Sequence, residues 1–419
     1  MDIYKKYKYT LNITPSMVKY SLLNSRQLIF EVTSRCNLQC EYCGYGELHN
    51  TRRVNPSKNM TFSLAKSIID YLVPFWYEES LKQDYPKMFI GFYGGEPLMN
   101  FKLIQQTIDY IDNISPKPKR NICYTMTTNA TLLKKHMSYL VENKFKLLIS
   151  IDGDEIAHSY RVHKNGGNSY SLVIKNIDLL RNNYPEYFEN NVSFNSVLTN
   201  RSDYIRTKKF ISDNFGKTPQ ISEVSDIGVL PEKMEMFKQI YRSGRNDLLE
   251  DKSNFSEQSI HESPDIRQLY RIIKLLSNNS YDSYKSLLAK QQQSIIPTGT
   301  CFPFDRKIYL TVDGGILPCE RIHQKYLLGT VTANKVNIDF DKIAAYYSTL
   351  YKKVWRNQCH SCYMRPICDQ CMFHIDNLET KTNCKRFKSK DDYDTYIQYY
   401  MNLLAENSDV YEKMMQEFY

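Results

Sequence analysis

The chain has 419 residues, 42% of them hydrophobic, and a formal charge of +9 spread along its length. This predicts two or three domains, or one barrel with an appendage, and enough apolar content for a sizeable core. No Lys/Arg block or nucleic-acid motif stands out, no apolar run approaches a membrane span, and Met1–Lys6 lacks a signal core. Nucleic-acid and membrane partners are therefore not expected, and a cytoplasmic location is.

Residues 1–27 form a polar and aromatic extension with little periodicity. The apolar run Leu28–Thr33 reads as a buried strand. Directly after it stand Cys36, Cys40 and Cys43, with three and then two residues between them. Ala65, Ile68, Ile69, Leu72 and Val73 mark one face of a helix. Met88–Tyr93 is a second strand, followed by a helix around 101–113, a strand at 122–127 and a helix near 131–142. Lys146–Ile151 is a fourth strand, with a helix over about 169–183. Asn191–Leu198 is a fifth, followed by a helix from near Ser202, and Gln220–Leu230 is a candidate sixth.

Repeated strand–helix units imply parallel strands with right-handed crossovers. The fold expected is α/β, a partial (β/α)6 barrel over 28–230, with chemistry on the loops at the C-terminal strand ends. The cysteine triplet lies on such a loop. So do Gly94-Gly95-Glu96-Pro97, Thr128-Asn129-Ala130 and Ser150-Ile151-Asp152-Gly153. Arg161 follows Ser150 by eleven residues, and its planar fork suits a carboxylate. A surface ion pair is the plainer reading of it. His158 and His163 show no metal-ligand pairing.

Residues 231–300 read as a helical bridging region, with an amphipathic helix near 265–276 and a linker at Gln291–Gly299. A cysteine-rich module over 301–390 then begins. Lys307–Val312 and the turn Asp313-Gly314 predict a hairpin. Asp391–Tyr419 reads as a C-terminal helix, expected to pack across the barrel. The chain has 34 tyrosines, taken as compositional bias, and 11 cysteines. In a cytoplasmic chain so many cysteines point to metal rather than disulfides. Three fall at 36–43 and seven between 301 and 384. Cys123 stands apart and reads as a core residue.

The triplet, with aromatic Tyr42 before its third cysteine, resembles the signature of the radical S-adenosylmethionine (SAM) superfamily. The layout of Cys301, Gly314, Cys319, Cys359, Cys362, Cys368, Cys371 and Cys384 resembles the SPASM domain of many such enzymes. The two resemblances span roughly residues 28 to 390. They imply that Cys36, Cys40 and Cys43 hold three irons of a [4Fe-4S] cluster, leaving the fourth iron open to SAM, which is cleaved to a 5′-deoxyadenosyl radical.

By the same resemblance, Tyr42 lies near the adenine and Gly94, Gly95 and Glu96 meet the amino group of SAM. Asn129 belongs to a Thr-Asn-Gly-like turn, and Ser150 and Arg161 hold the ribose and carboxylate side. Cys359, Cys362, Cys368 and Cys384 would hold one auxiliary iron–sulfur cluster, and Cys301, Cys319 and Cys371 another with three thiolates. One departure is that two residues, not the usual three, separate Cys368 from Cys371, which puts the role of Cys371 in question. A pair of zinc knuckles completed by His360 or His374 is the alternative for this module.

The implied function is a maturase that oxidatively crosslinks, or forms a thioether in, a ribosomally synthesised precursor peptide. A low-potential donor of flavodoxin or ferredoxin type would supply electrons. Alternatives are an anaerobic sulfatase-maturing enzyme, with Asp305 or Asp313 as base by position only, and a non-catalytic iron–sulfur scaffold or electron carrier.

Overall fold

A computed structural model describes residues 8–49, 57–77, 87–118, 120–244, 247, 264–276 and 294–412. The linker expected at Gln291-Gln292-Gln293 and the last residues of the C-terminal helix lie outside them. The chain divides into two compact units, one of residues 19–247 with 302–339 and one of residues 1–18, 248–301 and 340–419.

The first unit is built on parallel strands β1 (Gln27–Thr33), β2 (Lys87–Gly94), β3 (Asn121–Thr128), β4 (Lys146–Ser150), β5 (Val192–Leu198) and β6 (Gln220–Glu223). They hydrogen-bond in that order, each parallel to the next. Helices α1 (Phe62–Tyr77), α2 (Phe101–Asp112), α3 (Leu133–Glu142), α4 (Tyr170–Asn183) and α5 (Tyr204–Phe215) connect them. β1 is buried along nearly its whole length, as a strand covered on both faces must be. α1 buries Ala65, Ile68, Ile69, Leu72 and Trp76, one stripe at helical spacing. The sixth strand ends at Glu223, well short of the expected Leu230.

The sheet does not stop at β1. Strands β7 (Ile308–Leu310), β8 (Gly315–Leu317), β9 (Gly329–Val331) and β10 (Val336–Asn337) extend it to ten. β7 runs parallel to β1, with Leu28 opposite Ile308 and Phe30 opposite Leu310, and the antiparallel hairpin follows. The hairpin read as the start of the cysteine-rich module thus pairs with the barrel strand that carries the triplet. Ladder hydrogen bonds on β1 that an edge strand would leave open are satisfied this way.

The second unit contains α6 (Pro264–Leu276), α7 (Phe340–Asn357) and α8 (Lys390–Glu406), with short turns of 3-10 helix at Cys359–Ser361, Arg365–Ile367 and Met372–His374. α8 starts at a capping box formed by Ser389 and Asp392. Its Tyr393 and Tyr400 share a core with Ile266, Leu269 and Ile272 of α6 and with Ile367. The C-terminal helix therefore packs on α6 and on the cysteine-bearing turns of its own unit. α7 was not legible as a helix, although Ile343, Tyr347, Leu350, Tyr351 and Val354 form its buried stripe.

Candidate metal and cofactor centre

The triplet loop leaves the C-terminal end of β1 and is tied down backbone to backbone. Gln39 N–H donates to Val162 O at 2.8 Å and Glu41 N–H to Tyr160 O at 3.1 Å, while Arg35 O accepts from Glu96 N–H at 2.9 Å. Cys36 Sγ accepts from Leu38 N–H at 3.4 Å and from Asn129 Nδ2 at 3.8 Å. Burial pushes the Cys40 thiol up to about 12, against the pull of Arg161, and Cys43 and Cys36 add to the rise. The three sulfurs are thus electrostatic neighbours.

Among the described residues, no three His, Cys, Asp or Glu side chains converge as closely as a single metal ion requires. Ligands of a polynuclear cluster stand further apart, and three soft thiols, one of them with N–H donors at its sulfur, suit an iron–sulfur group. Binding it requires the thiols to lose their protons, which metal coordination drives.

Gly94 and Gly95 press the second strand end against this loop. A Cβ on Gly95 would lie 1.9 Å from Arg35 O, and one on Gly94, at φ +143°, 2.2 Å from Thr33 O. Only glycine permits that approach. Glu96 is fully buried. Its carboxylate accepts from Leu98 N–H at 3.1 Å, Thr128 Oγ1 at 2.7 Å and Asn129 N–H at 2.8 Å. These donors favour its ionised form, but burial outweighs them and raises its pKa to about 7. Asn129 in turn donates to Asn37 Oδ1 at 3.0 Å. The glycine pair, Glu96, Asn129 and the cysteine loop are one hydrogen-bonded assembly.

A second assembly holds the loop from the other side. Arg161 donates from Nε and Nη2 to the two carboxylate oxygens of Asp152, each at 2.9 Å. The Tyr42 hydroxyl donates to the same carboxylate, as does Val197 N–H at 2.9 Å. Burial works against ionising Asp152, but Arg161 prevails and holds the carboxyl below its ordinary range. The guanidinium also lies over the Tyr42 ring, 5.5 Å from its centroid.

Arg161 is therefore neither a surface ion pair nor a free fork, since it is a buried bidentate partner of Asp152. Ser150 donates to Asn195 Oδ1 at 3.0 Å. His158, buried, meets Ser169 Oγ at 3.0 Å, and burial lowers its pKa to about 4, so it is a neutral core histidine. Asp152 was visible in the Ser-x-Asp-Gly stretch but had no role assigned.

In the second unit, Cys359, Cys362, Cys368 and Cys384 are electrostatic neighbours. Burial pushes Cys359 up to about 12, with Cys368, Cys362 and Cys384 adding to the rise. Burial also raises Cys368 and Cys384, each opposed by backbone N–H donors at sulfur, from Gln370 and Gly299 for Cys368 and from Arg386 and Phe387 for Cys384. Asp369 is bound by Arg386 at 2.6 Å and by Arg271 of α6 at 3.1 Å. Cys301 and Cys371 are both electrostatic neighbours of Tyr351. Cys319 belongs to the first unit, just past β8. There Lys307 reaches the Glu320 carboxylate at 3.0 Å and, against burial, keeps it below its ordinary range. Asp313 is paired with Lys58 at 2.8 Å.

Residues 30–203, which contain the triplet and both assemblies around it, match the family described as the Radical SAM superfamily. The match to that superfamily covers this stretch of the chain. Radical SAM proteins use a [4Fe-4S] cluster with SAM, and Cys36, Cys40 and Cys43 lie within the matched residues. The chain is 25% identical over 283 residues to the radical SAM cyclopropyl synthase TigE of Paramaledivibacter caminithermalis, covering 65% of this chain and 55% of that protein. It is 28% identical over 163 residues to a cysteine-type anaerobic sulfatase-maturating enzyme of Clostridium novyi, covering 38% and 41%. The matches thus span about half the length of these curated relatives. The solved structure of native anSMEcpe with bound AdoMet shares the radical SAM fold, with a TM-score of 0.58 at 17% identity over 92% of this chain and 98% of that one. No helix among the described residues is long and apolar enough to cross a membrane.

Proposed function

We propose that this radical SAM protein is a peptide maturase that oxidatively crosslinks, or forms a thioether in, a ribosomally made precursor peptide. The observation that carries the reading is the pairing of two separate thiol sets in one chain. One is the triplet at the end of β1, and the other is the four-cysteine group with N–H donors at the sulfurs of Cys368 and Cys384. With its cluster and SAM bound, the first site supplies a 5′-deoxyadenosyl radical for hydrogen abstraction from an unactivated carbon. The second set, and a further one that includes Cys301 and Cys371, would hold auxiliary clusters that accept an electron from the product radical or ligate the substrate.

The protein's own part is position and exclusion of water. Tyr42, Gly94, Gly95, Glu96, Asn129, Ser150 and Arg161 are proposed as the SAM-facing wall. Glu96 and Arg161 are already saturated by Thr128, Asn129 and Asp152, so they act mainly by fixing the loops. The Asp152–Arg161 pair keeps a cation near Cys40, where a thiolate-bound cluster would carry negative charge. A flavodoxin- or ferredoxin-type donor is the proposed electron source, and the net charge of +9 suits an acidic partner.

The curated sulfatase-maturating relative favours formylglycine formation on a sulfatase as the second reading. Incubation of reduced, cluster-loaded protein with SAM and either a short peptide encoded beside it or a sulfatase-derived Cys/Ser peptide separates the two. A mass loss of hydrogen from the neighbouring peptide, without a hydrazide-reactive aldehyde, supports the maturase. An aldehyde on the sulfatase peptide alone overturns it.

A further inference from the structure

Tyr351 lies in the middle of α7 and is fully buried. Among the described residues its hydroxyl has no hydrogen-bond partner. Leaving a phenol buried and unpaired is costly, so a partner that completes the site is called for.

The surroundings identify the partner's position. α7 packs on the turn that follows Cys371, with the Tyr347 and Phe373 rings 5.6 Å apart and Tyr347 stacked edge-on to Tyr351 at 5.9 Å. The same turn is knitted to the segment before Cys301, because Met372 N–H donates to Thr300 Oγ1 at 2.7 Å. Cys301 and Cys371 are each the sequence neighbour of a residue in that bond. Of the groups around the Tyr351 phenol, these same two thiols act on it electrostatically.

We propose that the Tyr351 hydroxyl donates a hydrogen bond to a sulfur of the iron–sulfur cluster held by Cys301 and Cys371, and so sets that cluster's reduction potential. This rests on the auxiliary-cluster reading above. Tyr351 is a positioning and tuning residue, not a ligand. A donor at sulfur favours the reduced, more negative cluster. Without it, reduction becomes about tenfold less favourable, a fall of about 59 mV for a one-electron couple.

The test uses full-length protein reconstituted anaerobically with iron and sulfide. Cys301→Ala comes first and should lower the iron count by one cluster's share. An unchanged count would overturn both the second auxiliary cluster and the inference. Tyr351→Phe should then keep all its iron, while one of the potentials resolved by spectroelectrochemistry and EPR falls. The same substitution on the Cys301→Ala background should leave the remaining potentials unmoved. Unchanged potentials in the single variant would overturn the inference alone. So would loss of that cluster's iron, since a donor tunes a cluster without holding it.

Discussion

Asp152→Asn tests whether the cysteine loop is anchored as described. Asp152 accepts from Arg161 Nε, Arg161 Nη2, Val197 N–H and the Tyr42 hydroxyl. An asparagine must turn its NH2 toward one pair of these donors. Facing Nη2 and Val197 N–H, it meets two groups that cannot reverse. Facing Nε and Tyr42, it leaves only Nε opposed, because a phenol can turn and accept. The second orientation is the less costly, yet the guanidinium, on a side chain 9% exposed, is left without its counter-charge. Breaking a buried pair in this way costs about 3–5 kcal/mol.

For a unit of this size, each kcal/mol lowers Tm by roughly 2–4 °C, so a fall of about 6–20 °C is expected. Because the folded pKa of Asp152 is depressed, its stabilisation is complete above the ordinary carboxylate pKa near 4 and is lost as pH falls below it. The comparison therefore belongs at pH 7.5, on cluster-free protein under reducing conditions, followed by circular dichroism. Since Tyr42 sits between Cys40 and Cys43, iron retained by the triplet should fall as well. A Tm within 2 °C of the parent, with unchanged iron, would refute the anchoring argument.

Glu96→Gln should flatten one component of the pH–stability profile. The folded pKa of Glu96 is raised to about 7, so its contribution is favourable at low pH and is lost as pH rises toward 7, by about 3 kcal/mol in all. The difference between parent and variant in urea titrations from pH 5 to 8 reads this, and parallel profiles would count against it. Gly95→Ala forces a Cβ to within 1.9 Å of Arg35 O, so the loop must move. Cluster loading at the triplet should drop severalfold while auxiliary iron is retained. Cys359→Ala should remove only its own cluster's share of iron, checked by iron analysis and Mössbauer spectroscopy.

The strand–helix alternation was legible because parallel barrel strands are short apolar runs and their helices carry 3.6-residue stripes. The triplet, the glycine pair and the Ser-x-Asp-Gly stretch were legible because they sit at strand ends. Partner choice was not. Nothing local in Leu28–Phe30 names Ile308–Leu310 as its neighbour, some 280 positions away, so the pairing of the hairpin with β1 is not readable from the sequence. Likewise, the residue type of Arg161 fits a ligand carboxylate and a protein carboxylate equally, and only the fold reveals Asp152. α7 escaped because two of its buried stripe positions, Tyr347 and Tyr351, are tyrosines in a tyrosine-rich chain. Its Ile343, Tyr347, Tyr351 and Val354 nonetheless keep helical spacing.

The most direct test of the central claim is anaerobic turnover of reduced, cluster-loaded protein with SAM, assayed for 5′-deoxyadenosine by mass-resolved chromatography in the presence of the neighbouring peptide. The account predicts 5′-deoxyadenosine from the parent and none from Cys40→Ala, which keeps the iron of its auxiliary clusters. Equal formation by both, or none from the parent with a full complement of iron, would contradict it.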